Sequence, residues 1–131
     1  MFMSVETYNL NSGVWITKMP ALSYRQCLGA AEVNGKIYAV GGENGGSTLA
    51  TNEEYEPSTN TWTAKASLPT ARQYLGVASV GGKVYAIGGY NGSSIVGNVD
   101  QYDPTANTWT TMAALSVARY GLGTVTVNGK I

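Results

Sequence analysis

A chain of 131 residues, 44% of them hydrophobic and 12% charged, is long and apolar enough to bury a core, which excludes the disordered class. Eight basic residues balance eight acidic ones without any Lys/Arg run, so the electrostatic footprint that nucleic acid or an anionic membrane surface requires is missing. Histidine, the commonest general base and metal ligand, is absent, and the single cysteine, Cys27, has no partner for an internal disulfide.

The opening MFMSVETYNL lacks a basic region followed by an apolar run, and no window approaches the roughly 18 apolar residues of a membrane span. A soluble chain without an export signal is expected, with a cytoplasmic location favoured. Seventeen Gly and nine Tyr against one Phe point to many turns and half-buried strands, hence to an all-β fold.

In chain order, Val5 to Leu10 and Val14 to Lys18 read as two strands joined by the turn cluster Asn11-Ser12-Gly13. Leu28 to Val33 and Lys36 to Val40 follow, joined by Asn34-Gly35 and ending at Gly41-Gly42. Glu43 to Thr51 is a Gly/Ser/Asn loop with a counterpart from Tyr90 to Gly97. Glu53 to Glu56 and Thr61 to Lys65 flank Pro57-Ser58-Thr59-Asn60 and repeat the opening hairpin. The next round is Tyr74 to Val80, Lys83 to Ile87, Val99 to Asp103 and Thr108 to Met112, and a last strand is expected over Leu122 to Val127.

Fixed positions return every 47 residues: Tyr8, Tyr55 and Tyr102; Trp15, Trp62 and Trp109; Arg25, Arg72 and Arg119; Gly29, Gly76 and Gly123. The pairs Gly41-Gly42 and Gly88-Gly89 keep the same step. A constant period of this length marks a stacked or radial array of one supersecondary unit. With the strands of a unit lettered a to d, the chain reads c-d, a-b-c-d, a-b-c-d, a. The expected divisions are strands c-d over 1–22, full units over 23–69 and 70–116, and strand a over 117–131.

Gly-Lys-x-Tyr-Ala-x-Gly-Gly, then Glu-Glu-Tyr-Glu-Pro or Asp-Gln-Tyr-Asp-Pro, then Asn-Thr-Trp-Thr and Arg-x-x-x-Gly, resemble the kelch repeat over essentially the whole chain. The resemblance implies a β-propeller in which each repeat is a four-stranded blade, commonly six around a channel, serving as a protein-binding platform. The physical logic agrees, because a sheet with two apolar faces is stabilised by packing each blade on the next. On this reading Arg25, Arg72, Arg119, Trp15, Trp62, Trp109, Gly41, Gly42, Gly88 and Gly89 are structural. The arginines and the acids two residues before each Tyr (Glu6, Glu53, Asp100) are expected to form a repeated clamp.

Chemistry finds little support. Copper-radical oxidases that resemble kelch propellers need histidine ligands, and no cofactor or metal is expected here. Glu53, Glu54 and Glu56 cluster, but in a strand Glu53 faces away from the other two, and the segment reads as an outer strand whose charges guard an edge. GGENGG leads to a strand rather than a helix N-terminus, which argues against a phosphate loop. A non-catalytic scaffold for a protein or peptide is expected.

In kelch domains that bind peptides, contacts come from the loop after Gly-Gly and from the residues after the Arg. Carried over by this resemblance, the positions are Glu43, Asn44, Tyr90 and Asn91, with Gln26, Cys27, Gln73, Tyr74 and Tyr120. The Tyr, Asn and Gln of this rim suit hydrogen bonding to a peptide, or stacking on a sugar in a carbohydrate-binding or sugar-processing propeller. Three units of 47 exceed 131 residues by ten, so one chain is not expected to close a ring. A homodimer closed head to tail into six blades, each composite blade lacking a b strand, is expected, or else a fragment or engineered piece with no function of its own.

Overall fold

A computed structural model describes residues 4–131, so the first three residues of the 1–22 segment lie outside it. Twelve strands form: β1 (Val5–Asn9), β2 (Val14–Lys18), β3 (Gly29–Val33), β4 (Lys36–Val40), β5 (Glu43–Asn44), β6 (Ser47–Thr48), β7 (Asn52–Glu56), β8 (Thr61–Ala64), β9 (Gly76–Val80), β10 (Lys83–Ile87), β11 (Val99–Asp103) and β12 (Thr108–Met112). No helix is present among the described residues.

Two four-stranded antiparallel sheets, β3-β4-β7-β8 and β9-β10-β11-β12, repeat one meander, and β1-β2 is the outer hairpin of an incomplete third. They are blades of a partial propeller. The hairpins turn where the sequence supplies positive φ: Asn34-Gly35 at 53° and 80°, and Gly81-Gly82 at 59° and 73°. Turns of that hand match the twist of the flanking strands.

The core lies between the two full blades. Tyr38, Val40 and Leu68 meet Leu75, Val77, Val84, Ala86 and Tyr102 there, and Trp109 packs against the cluster. The aromatic pair inside each copy is the same: Tyr8–Trp15, Tyr55–Trp62 and Tyr102–Trp109, with centroids at 5.1, 5.0 and 5.1 Å. The Trp109 indole N–H then donates to the Ala66 carbonyl at 2.7 Å, and that of Trp62 to Met19 at 3.0 Å, tying each blade to the connection before it. The recurrent glycine at the start of strand a permits close approach, since a Cβ at Gly29 would collide with the Val77 side chain and one at Gly76 with Thr124.

Three readings need correction. The segment 43–51 is no plain loop, because β5 and β6 pair within it. Leu122 to Val127 forms no strand: a ladder needs a neighbour, and instead of a b strand the segment has the Thr124 and Thr126 hydroxyls donating to the Val77 and Ser79 carbonyls at 2.8 and 2.7 Å. Finally, β7 is an interior strand with Glu53 and Glu54 buried, and their charges are answered inside the blade rather than guarding an edge.

The answering groups are specific. Glu53 pairs with Arg25 at 3.2 Å, while Glu54 accepts from Tyr38 at 2.6 Å and meets Lys36 at 3.0 Å and Lys65 at 3.3 Å. One copy later Arg72 pairs with Asp100 at 2.5 Å and donates to the Gly88 and Asn98 carbonyls at 3.1 and 2.8 Å. Burial lowers the pKa of both arginines and the paired acid opposes it, so both remain charged. Among the described residues the Arg119 side chain makes one bond, to the Val117 carbonyl at 3.4 Å, and Glu6 has no ion pair.

Candidate functional site: a tyrosine-lined groove at the blade rim

The connection entering each blade places one residue in the left-handed region: Cys27 at φ 56°, Tyr74 at 54° and Gly121 at 64°, again 47 apart. For a side chain other than glycine this conformation costs about 1–2 kcal/mol. The surroundings hold it by backbone bonds between consecutive copies, Tyr74 N–H to the Cys27 carbonyl and Gly121 N–H to the Tyr74 carbonyl, both 2.8 Å. Tyr74 therefore stands outside β9, one residue clear of the strand expected to contain it.

The next link holds the loop after Gly-Gly. Gln26 bridges Glu43, and Gln73 bridges Tyr90, each through reciprocal backbone bonds of 2.9 to 3.0 Å. Residues 26, 73 and 120 are equivalent by the 47-residue step, as are 43 and 90, and successive copies present them side by side. Glu43, Gln73, Tyr74, Tyr90 and Tyr120 line one groove of about 500 Å³ together with Ile95.

Tyr74 and Tyr120 meet edge to face at 6.1 Å, and both rings remain about half exposed. The Tyr90 hydroxyl donates to the Gly92 carbonyl at 3.0 Å, which fixes that ring at the groove wall. Cys27, the equivalent residue one copy earlier, stands near enough to the Tyr74 phenol to raise its pKa. The Glu43 carboxylate is buried, accepting from the Gln26 amide and from Gly46 N–H at 2.8 Å.

Not every expected rim residue reaches the groove. The Asn91 side chain accepts from Ser93 N–H and Ser94 N–H at 2.9 and 2.8 Å and shapes its own loop, while Asn44 is exposed beyond the lining. Gln26 and Cys27 are not among the lining: Gln26 reaches the groove only through its bond to Glu43, and Cys27 adjoins Tyr74. Ile95 is an added wall that the sequence did not single out; the Tyr90↔Ile95 bridge, which closes the Tyr90 to Gly97 loop on itself, puts it there.

Among the described residues no group of three or more His, Cys, Asp or Glu is placed to hold a metal, and no helix is long and apolar enough to cross a membrane.

The Kelch motif family matches residues 24–69 and 71–116, one match for each four-stranded sheet. This chain belongs to the kelch-repeat family. The curated kelch relatives it resembles include Kelch-like protein 8 of Mus musculus, 38% identical over 56 residues, and Kelch-like protein 8 of Caenorhabditis elegans, 40% identical over 52. Those alignments cover 43% and 40% of this chain but 9% and 8% of the relatives, so the kelch chain spans less than a tenth of their length. In a kelch blade the Arg, Tyr, Trp and Gly-Gly positions recur in every copy, whereas the groove positions differ: Glu then Tyr at 43 and 90; Gln, Gln and Tyr at 26, 73 and 120; Cys, Tyr and Gly at 27, 74 and 121.

Proposed function

We propose that this kelch chain is a non-catalytic scaffold that binds a protein or peptide segment in the groove between its two full blades. The observation carrying the proposal is the convergence of Glu43, Gln73, Tyr74, Tyr90 and Tyr120, drawn from three successive copies, on one groove made of positions that vary between copies. A peptide-display selection on the wild type and on Tyr90→Ala tests it. Peptides enriched on the first and lost on the second are expected; no enrichment, or enrichment indifferent to Tyr90, overturns it. The exposed Tyr74 and Tyr120 rings also suit a sugar face, and a glycan array run in parallel would return specific binding if that reading holds instead.

The incomplete blade supports a second proposal, that another copy of this chain closes the ring head to tail. Gly123 faces open space where Gly29 and Gly76 each meet the following blade. Arg119 lacks the carboxylate that Arg25 and Arg72 find 28 residues onward, and the 47-residue register puts Glu6 of a second copy in that place. Trp15, 63% exposed, is the corresponding donor for the Ala113 carbonyl. Sedimentation of the wild type, Arg119→Glu, Glu6→Arg and the double reversal reads the outcome: a dimer weakened by either single change and restored by both. A monomer at every concentration sinks the idea.

A further inference from the structure

Resting on the groove as the binding site, a comparison of buried carboxylates indicates what the ligand carries. Four acids are buried among the described residues: Glu43, Glu53, Glu54 and Asp100. Three have cations beside them: Arg25 at Glu53, Lys36 and Lys65 at Glu54, and Arg72 at Asp100. Glu43 has none, only the neutral donors Gln26 and Gly46. A desolvated carboxylate held by neutral amides keeps a negative potential that a cation in the same cavity would answer.

The rest of the groove favours the same kind of guest. No Lys or Arg lines it, while the rings of Tyr74, Tyr90 and Tyr120 do, and aromatic faces attract ammonium and guanidinium groups. Arg25 and Arg72 are locked in their clamps, Lys36 and Lys65 are taken by Glu54, and Lys83 is held by Asp103 at 2.6 Å. We infer that the groove receives a basic side chain, arginine or lysine, borne on a peptide, with its charged head toward Glu43 and its stem among the three tyrosines. The peptide source follows from a lining contributed by three successive copies and left open at the half-exposed Tyr74 and Tyr120 rings, which suits a side chain entering from a bound chain rather than a closed cage for a free ion.

The test uses the whole chain and amide chemical shifts at Gly46 and Tyr90. The probes are acetyl-Gly-Arg-Gly-amide, its neutral counterpart with citrulline in place of arginine, and methylguanidinium. The arginine peptide is expected to bind roughly tenfold tighter than the citrulline one, and Glu43→Gln to erase that difference while thermal unfolding stays as in the wild type. Equal binding of the two peptides, a preference that survives Glu43→Gln, or methylguanidinium matching the arginine peptide overturns the inference. If the display selection returns neutral or acidic peptides that still require Tyr90, the charge preference fails while the groove stands as the binding site. If it returns none, the site itself fails.

Discussion

Arg72 meets Asp100 at 2.5 Å with both side chains essentially excluded from water, and Arg25 meets Glu53 in the equivalent place one copy earlier. Such a pair gains little over an apolar pair of the same shape, but removing one member strands the other. Asp100→Ala is therefore expected to cost about 3–5 kcal/mol in urea unfolding, and a combined Arg72→Met, Asp100→Leu change to recover most of it. A single-mutant loss below about 1 kcal/mol would contradict a desolvated pair.

Gly81 and Gly88 have nearly the same φ, 59° and 60°, in different surroundings. A Cβ at Gly81 meets nothing within 4 Å, whereas one at Gly88 lies 2.5 Å from the Arg119 carbonyl. Gly81→Ala should cost about 1 kcal/mol from backbone conformation alone. Gly88→Ala should cost roughly 3 kcal/mol or more, because a backbone must move. Equal losses in thermal unfolding would remove the steric distinction.

The two ends of the pH range act through different groups. Glu54 is buried, which pushes its pKa up, yet donors from Tyr38, Lys36 and Lys65 outweigh burial and hold it below the ordinary carboxylate range. A depressed acid stabilises the fold above its unfolded value near ~4.3, and that contribution fades as pH falls through the lower folded value. Tyr102 is the reverse case, pushed up to about 12 mainly by burial, with Glu54 and Asp103 adding. Its contribution is complete below about 10 and is lost as pH rises through the folded value. Urea midpoints against pH should show a gentler acid limb in Glu54→Gln and a gentler alkaline limb in Tyr102→Phe.

Tyr74 separates binding from stability. Its left-handed backbone is one asparagine adopts readily, as Asn34, Asn60 and Asn107 do. Tyr74→Asn is expected to unfold no more easily than the wild type, while binding in the groove falls roughly tenfold with the loss of one aromatic wall. A large drop in melting temperature would show that the ring holds the blades together.

What the sequence made legible follows from repetition. Tyr55, Trp62, Arg72 and Gly76 recur at one step, so strand order, sheet number and scaffold positions follow from the repeat alone. The misreadings arise where a residue's state depends on a neighbour outside the pattern. Leu122 to Val127 alternates like a strand but has no b partner, and Glu54 looks like an edge charge until Tyr38, Lys36 and Lys65 are seen against it. At the site, the rim positions could be listed but their convergence could not. The left-handed turns at Cys27 and Tyr74, residues that avoid that region, decide which side chains enter the groove.

Those turns also separate two tasks within one residue. At positions 27, 74 and 121 the main chain joins consecutive copies through carbonyl and N–H alone, so the side chain contributes nothing to the joint. Cysteine, tyrosine and glycine occupy the three places without disturbing it. On the proposed function, recognition could thus be rewritten one blade at a time while the frame beneath keeps its spacing.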